Sequence, residues 1–324
     1  MASSSVPIID AHTDILDKIL NEGAVFYRRN KGIHTDLPRL RKGHVALAFF
    51  AICVDPKITV NDLKNSVYVR TFRSLVSGKK NGLHLVRGYS DIGVGENRIG
   101  VIMHMEGAKP IKNLSDLRDM HALGLRSVGI TWNEQNQFGT GINGDKGRGI
   151  TPAGINLIRE CNRLGILLDV SHLNQKSFHD VMKYSKKPII ASHSCCHALS
   201  RHPRNLTDKQ IKAIAKNKGV VCVSLNALFL KNRKLKPGER IPCADPETSI
   251  KDVLRHIRHI EKLVGLDFIG IGSDYDGGPV PLELSDASKY QDLVKALLGR
   301  YKREDVEKIC HKNLLRVIEA NLAG

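Results

Sequence analysis

The chain has 324 residues, enough for one large domain or two ordinary ones, with a substantial core. Apolar residues make up 41% and charged residues 26%, which excludes a disordered chain. The formal charge of +17 invites a nucleic-acid reading, but the lysines are spread through stretches such as "KYSKKP" and "YKREDVEK", and aromatics are only 5%. Without a basic block and interleaved aromatics, no nucleic-acid partner is expected.

In chain order, short apolar runs alternate with helical patterns. The predicted strands are "PIIDAH", "HVALAFFAICV", "IGVIMHME", "LRSVGITW", "ILLDVSH", "PIIASHS", "VVCVSLN" and "FIGIGSD". Amphipathic stretches between them include "TVNDLKNSVYVRTFRSLVSG", "TPAGINLIRECNRLG", "LTDKQIKAIAKNKG" and "SIKDVLRHIRHIEKLVG". Thr151 and Thr207 stand at helix N-cap positions, and glycines close "RLG", "NKG" and "LVG". Strands apolar on both faces and separated by helices indicate parallel β/α units. Eight of them predict an α/β fold of the TIM (β/α)8-barrel type, one domain over residues 1–324. The polar, glycine-rich segment 133–151 is expected over the active face, as a lid or a substrate wall, and loops 55–62 and 226–247 are expected to shape the pocket with it.

The start "MASSSVPII" lacks a basic region followed by an apolar core, and no run approaches the roughly 18 apolar residues that span a membrane. Seven cysteines without C-x-x-C spacing argue against a disulfide framework. The expectation is a cytoplasmic protein without a membrane partner, with the homodimer as the commonest assembly for a protein of this kind.

The chemistry gathers at the strand ends. The first predicted strand ends in His12 and Asp14, the third in Glu106, the fifth in His172, the sixth in His193, and the eighth in Asp274 and Asp276. In a TIM barrel these ends open on one face. Alternation along the first strand should also set Asp10 on the same side as His12 and Asp14, deeper in the barrel. Three imidazoles among carboxylates match zinc, manganese or iron, with zinc favoured by the nitrogen content. His104 and His197 flank these candidates and are expected in structural roles.

Taken together, His-x-Asp at the first strand, "EG" at the third, "LLDVSH", "ASHS", "HPRN" and "IGIGSDYDG" resemble the membrane (renal) dipeptidase family, peptidase family M19 of the amidohydrolase superfamily. The resemblance runs from Ile9 to "KNLLRV" near residue 317. It implies a barrel carrying two divalent ions, most simply Zn2+, and cleavage of dipeptides, including L-Xaa-D-Xaa, through a metal-bridging hydroxide. His12 and Asp14 would hold one ion, His172 and His193 the other, and Glu106 would bridge them. Asp274 would carry the proton. Arg204, beside Asn205 in "HPRN", would pair with the free carboxylate of the substrate.

One departure bears on the substrate. Membrane-bound members have a histidine after the fourth strand that polarises the scissile carbonyl, and this chain has Trp132 there, so Trp132 and Asn133 are expected at the substrate instead. The departure keeps open a metal-dependent amidohydrolase acting on N-acyl amino acids, lactams or other small amides. From another class, a non-catalytic basic binding protein on a barrel scaffold is disfavoured by the intact ligand set.

Overall fold

Strand β1 (Ile8–Thr13) runs parallel to β2 (Val45–Cys53), with Ile8 beside Val45 and Ile9 beside Leu47. The remaining strands are β3 (Leu83–Leu85), β4 (Ile99–Glu106), β5 (Leu125–Gly129), β6 (Leu167–Asp169), β7 (Ile190–Ala191), β8 (Val220–Val223), β9 (Ala244–Asp245), β10 (Ile269–Ile271) and β11 (Val280–Pro281). Pairing follows the order β2-β1-β10-β8-β7-β6-β5-β4, and β4 pairs back onto β2 from Gly100 beside Leu47 to Glu106 beside Cys53. The result is a closed, eight-stranded parallel barrel, the expected TIM architecture. The computed structural model describes residues 5–53, 66–78, 82–93, 98–233 and 241–322. Loop 55–62 and the start of the helix expected from residue 59 lie outside them, as do positions 234–240 of the loop expected at 226–247.

Every expected strand is a barrel stave. Strand β3, not expected, extends the sheet outside the ring by pairing with the start of β4. Strands β9 and β11 form a separate two-stranded parallel sheet. Two apolar layers hold the barrel. Inside it, Ile9, Leu47, Phe49, Ile102, Leu167 and Val220 pack together, closed from below by Leu314 and Val317 of the helix Asn313–Leu322. Outside it, Ile8, Phe50, Val101 and Met103 meet helix residues such as Leu16, Phe72 and Leu117. A strand buried on both faces needs no polar alternation, which is why these strands read as continuous apolar runs.

Helix punctuation follows the sequence at most ends. Thr151 accepts from the Gly154 amide and Thr207 from the Gln210 amide. Gly165 and Gly265 close their helices with φ of 73° and 90°. At "NKG" the left-handed residue is Lys218, with φ 63°, not Gly219. Gly219 serves close packing instead, because a Cβ there would sit 2.3 Å from the Ile189 carbonyl oxygen.

A correction concerns β1. Its register shifts between Asp10 and Thr13, a bulge that breaks the two-residue alternation. Asp10 shares a face with its partners Ala48 and Ile271 in the outer layer, while Ile9 and Ala11 face inward. His12 is turned in and Asp10 is turned out. Asp10 instead ties strands together, accepting from the Ser273 amide at 2.8 Å and the Ser273 hydroxyl at 2.7 Å. Among the described residues, no helix is long and apolar enough to cross a membrane.

Candidate metal centre

Each expected ligand stands where a parallel strand ends. His12 is the penultimate residue of β1, and Asp14 stands at the N-cap position of the helix Ile15–Asn21 that follows, with its side chain making no capping bond. Glu106 is the last residue of β4. His172 and His193 lie just past β6 and β7, and Asp274 and Asp276 past β10. All seven are buried. Asp274 and Asp276 adopt left-handed φ of 62° and 69°, a conformation aspartate tolerates better than most residues and one that concentrates at functional sites.

The imidazoles are oriented from behind. His172 Nδ1 lies 2.8 Å from Asn133 Oδ1, which leaves its Nε2 pointing inward. His193 Nδ1 lies 2.7 Å from Ser192 Oγ, whose hydroxyl in turn donates to Asp169 Oδ2 at 2.6 Å. The inward atoms converge. His172 Nε2 is 2.8 Å from Glu106 Oε1 and 3.0 Å from His193 Nε2, and His12 Nε2 is 3.6 Å from both Glu106 Oε1 and Asp14 Oδ2. The His12 and His193 rings lie 3.9 Å apart. His12 is wholly buried, and neither of its ring nitrogens has a hydrogen-bond partner among the described residues.

Acceptor atoms aimed at one another, with an orphaned buried imidazole among them, fit a cation. Two groups have their ligand atoms within 4.8 Å of one another: His12, Glu106 and His193, and His12, Asp14 and Asp274. His12 is common to both groups, and Glu106, in the first, also reaches His172 Nε2 at 2.8 Å. Asp274, expected only as a proton carrier, stands within ligand distance as well.

The electrostatics agree with this reading. Burial opposes charge on His12, yet Glu106 and Asp14 outweigh it and raise its pKa to about 10. A dication in the same field reverses that logic and favours the neutral imidazole. Burial, with Arg204 beside it, lowers His172 to about 4 and keeps it neutral. Burial also raises Asp274, with Asp14 and Glu106 adding to the effect, while His12 and Asn226 oppose it. Asn226 Nδ2 donates to Asp274 Oδ2 at 2.8 Å. Asp276 also lines the cavity of the centre, with Oδ1 accepting from the His34 amide at 2.7 Å.

The centre opens into a cavity of about 480 Å3 whose walls include Asp17, Trp132, Arg204, Leu228 and Phe229. Arg204 Nη2 lies 2.9 Å from His172 Nε2 and 2.6 Å from His193 Nε2, and its buried Nη1 has no partner among the described residues. Trp132 is 44% exposed at the mouth, its ring 6.3 Å from that of His172. The Asn205 side-chain amide is engaged by the protein, donating to the carbonyls of Ser200 in its own loop and Phe229 in the helix after β8 and accepting from the Cys195 amide. It therefore shapes the loop that carries Arg204.

Segment 133–151 acts as a buttress. The Ile142 amide donates to the His172 carbonyl at 2.9 Å, and the Asn143 amide to the Asn133 carbonyl at 2.8 Å. Gly141 permits this contact, because a Cβ there would lie 2.2 Å from the Trp132 carbonyl oxygen. His104, as expected, is structural: it is buried, with Nδ1 3.0 Å from Ser127 Oγ. Asn226 escaped the sequence reading, although it ends the run "VVCVSLN" and obeys the same strand-end rule. Asp17 carried no sequence signal beyond its helical spacing from Asp14.

A family model described as membrane dipeptidase (peptidase family M19) matches residues 2–323. An uncharacterised dipeptidase of Schizosaccharomyces pombe is 32% identical over 341 residues, covering 96% of this chain and 79% of that protein. A dipeptidase of Claviceps purpurea is 30% identical over 303 residues, covering 88% and 68%. Among solved structures, a metallopeptidase from Rhodobacter sphaeroides liganded with a phosphinate mimic of the dipeptide L-Ala-D-Ala superposes with a TM-score of 0.88 at 29% identity, covering 98% of this chain and 100% of that one.

Proposed function

The chain belongs to the membrane dipeptidase family, peptidase family M19, and on that premise we propose that it hydrolyses dipeptides, L-Xaa-D-Xaa among them, with two divalent ions. The observation that carries the reading is the convergence of three imidazoles and Glu106 at the barrel mouth, each aimed by a separate strand end. His12 and Asp14 are assigned to one ion, His172 and His193 to the other, and Glu106 to both. Zinc is favoured because imidazole nitrogen supplies three of these five side chains.

Bound there, the ions supply Lewis acidity and a water acidic enough to attack near neutral pH. The protein residues do the rest. Asn226 holds Asp274 Oδ2, so Oδ1 is the atom assigned to take the proton from the attacking water and return it to the leaving amine. A carboxyl raised by burial is suited to both halves of that exchange. Arg204 is assigned to the substrate carboxylate through Nη1, and a carboxylate arriving there draws the guanidinium off the imidazole nitrogens. Trp132 and Phe229 supply apolar walls that exclude water from the scissile bond. The cytoplasm remains the proposed location, in keeping with seven cysteines that are all free.

Elemental analysis of the purified protein, followed by hydrolysis of L-Ala-D-Ala, L,L-dipeptides and N-acetyl amino acids, tests the proposal. About two ions per chain and cleavage of the free dipeptides are expected, with both ions diminished in Glu106→Gln. Cleavage of N-acetyl amino acids in preference to dipeptides moves the assignment to the broader small-amide reading that Trp132 keeps open. A protein without divalent metal that cleaves neither class removes both.

A further inference from the structure

Charge in the candidate cavity is ordered from one flank to the other. Arg204 lies on the His172 and His193 side of the centre, with a buried, unpartnered Nη1. On the His12 and Asp14 side stands Asp17, one helical turn beyond Asp14 and lining the same cavity. Asp17 belongs to neither group of candidate metal ligands among the described residues. Its position is nevertheless built. Asp17 Oδ1 accepts from Asn21 Nδ2 at 2.6 Å and from the Tyr68 hydroxyl at 3.1 Å, so two neighbours hold one oxygen. The other oxygen, Oδ2, receives no hydrogen bond from the described residues. The adjacent Lys18 forms its ion pair with Glu22 at 2.6 Å. Among the described residues, a half-buried carboxylate thus lines the cavity with one oxygen anchored and the other without a donor.

A free dipeptide carries its ammonium one residue before the scissile bond and its carboxylate one residue after it. We infer that Asp17 receives the protonated α-amino group of the substrate, opposite Arg204 at the carboxylate end. This rests on the dipeptidase reading and narrows it: the substrates are zwitterions with an unblocked amino terminus, and the two opposite charges set which way round they bind. Of the other carboxylates lining the cavity on this flank, Asp14 is assigned to metal and Asp276 accepts from the His34 amide through Oδ1, so Asp17 is the one assigned to the cation. An N-acylated compound offers Asp17 an uncharged amide and loses the charge-assisted bond.

The test compares Asp17→Asn with the parent on L-Ala-D-Ala and on propionyl-D-Ala, which lacks only the amino group. The expected result is a KM about tenfold or more higher for L-Ala-D-Ala, with kcat and metal content within about twofold and propionyl-D-Ala kinetics unchanged. Calorimetric titration with phosphinate dipeptide mimics provides a readout independent of turnover. The mimic bearing an amine should lose about tenfold in Kd, and the amine-free mimic should lose nothing. Tyr68→Phe keeps the carboxylate, removes one of the two anchors on Oδ1, and should raise KM for L-Ala-D-Ala by a smaller factor; it decides the matter should Asp17→Asn fold poorly. Equal losses for compounds with and without the amine, or no loss for either, overturn the assignment while a dipeptide-cleaving parent keeps the activity reading intact. A parent that cleaves no dipeptide takes both down.

Discussion

Gly277→Ala probes the centre without removing a functional group. Gly277 follows Asp276 in the turn after β10, and its φ lies outside the left-handed region, so alanine meets no backbone barrier. A Cβ there would stand 2.2 Å from Asp14 Oδ2 and 2.5 Å from Asp274 Oδ1. Ordinary contact distances then require each oxygen to retreat by roughly 1 Å. Both obstacles are side-chain tips, so the fold accommodates the methyl at about 1–3 kcal/mol, partly offset by about 0.4–1 kcal/mol from a stiffer unfolded chain. The chemistry is less forgiving. A misplacement of about 1 Å costs on the order of a hundredfold in rate, and here one displaced group is the proposed ligand Asp14 and the other the proposed proton carrier Asp274. The assay is turnover of L-Ala-D-Ala alongside metal content and a thermal melt. The expected variant is folded, short of metal at the His12 side, and at least about a hundredfold slower. Turnover within about threefold of the parent, with full metal content, would refute the placement of these two carboxylates at the reacting centre.

Asp274→Asn should keep its metal and fold while kcat falls roughly a hundredfold or more, because the amide preserves shape and cannot accept a proton; near-normal turnover moves the proton carrier elsewhere. Arg204→Ala should lower kcat/KM for free dipeptides by about tenfold or more yet scarcely alter already poor dipeptide amides, and Arg204→Lys should not rescue it because a point charge cannot reproduce the guanidinium fork. Equal parent rates on free and amidated dipeptides would take Arg204 out of the substrate site. Away from the centre, burial lowers His256 to about 4, and its ring is held between the Cys196 amide and the Leu230 carbonyl. The unfolded chain therefore binds the extra proton between about pH 6.5 and 4, so this residue's contribution is intact above that window and falls by up to about 3 kcal/mol as pH drops through it. Denaturant titrations of His256→Asn should show a shallower loss of stability across those pH values, and an unchanged slope would exclude His256 as a source of acid sensitivity.

The sequence by itself determined the eight staves and the strand-end positions of His12, Glu106, His172, His193 and Asp274, because both signals are local. An apolar run of strand length needs no partner to be read, and a polar residue terminating such a run marks the barrel mouth whatever the neighbouring strand contains. The family match was legible for the same reason, since its motifs are short segments at those ends. What tertiary structure decided is everything that depends on register or on distant neighbours. The bulge in β1 turns Asp10 outward and His12 inward, and it exists only in relation to the pairing with β2 and β10. Asp10 finds its partner Ser273 across 263 positions of chain. Asn205 is taken up by the carbonyls of Ser200 and Phe229, and segment 133–151, expected as a lid or a substrate wall, props Asn133 against His172. The same holds for function at the level of single atoms. Whether a carboxylate is a ligand, a proton carrier or a structural tie depends on which of its oxygens a neighbour already holds, and only the packed chain decides that for Asp17, Asp274 and Asp276.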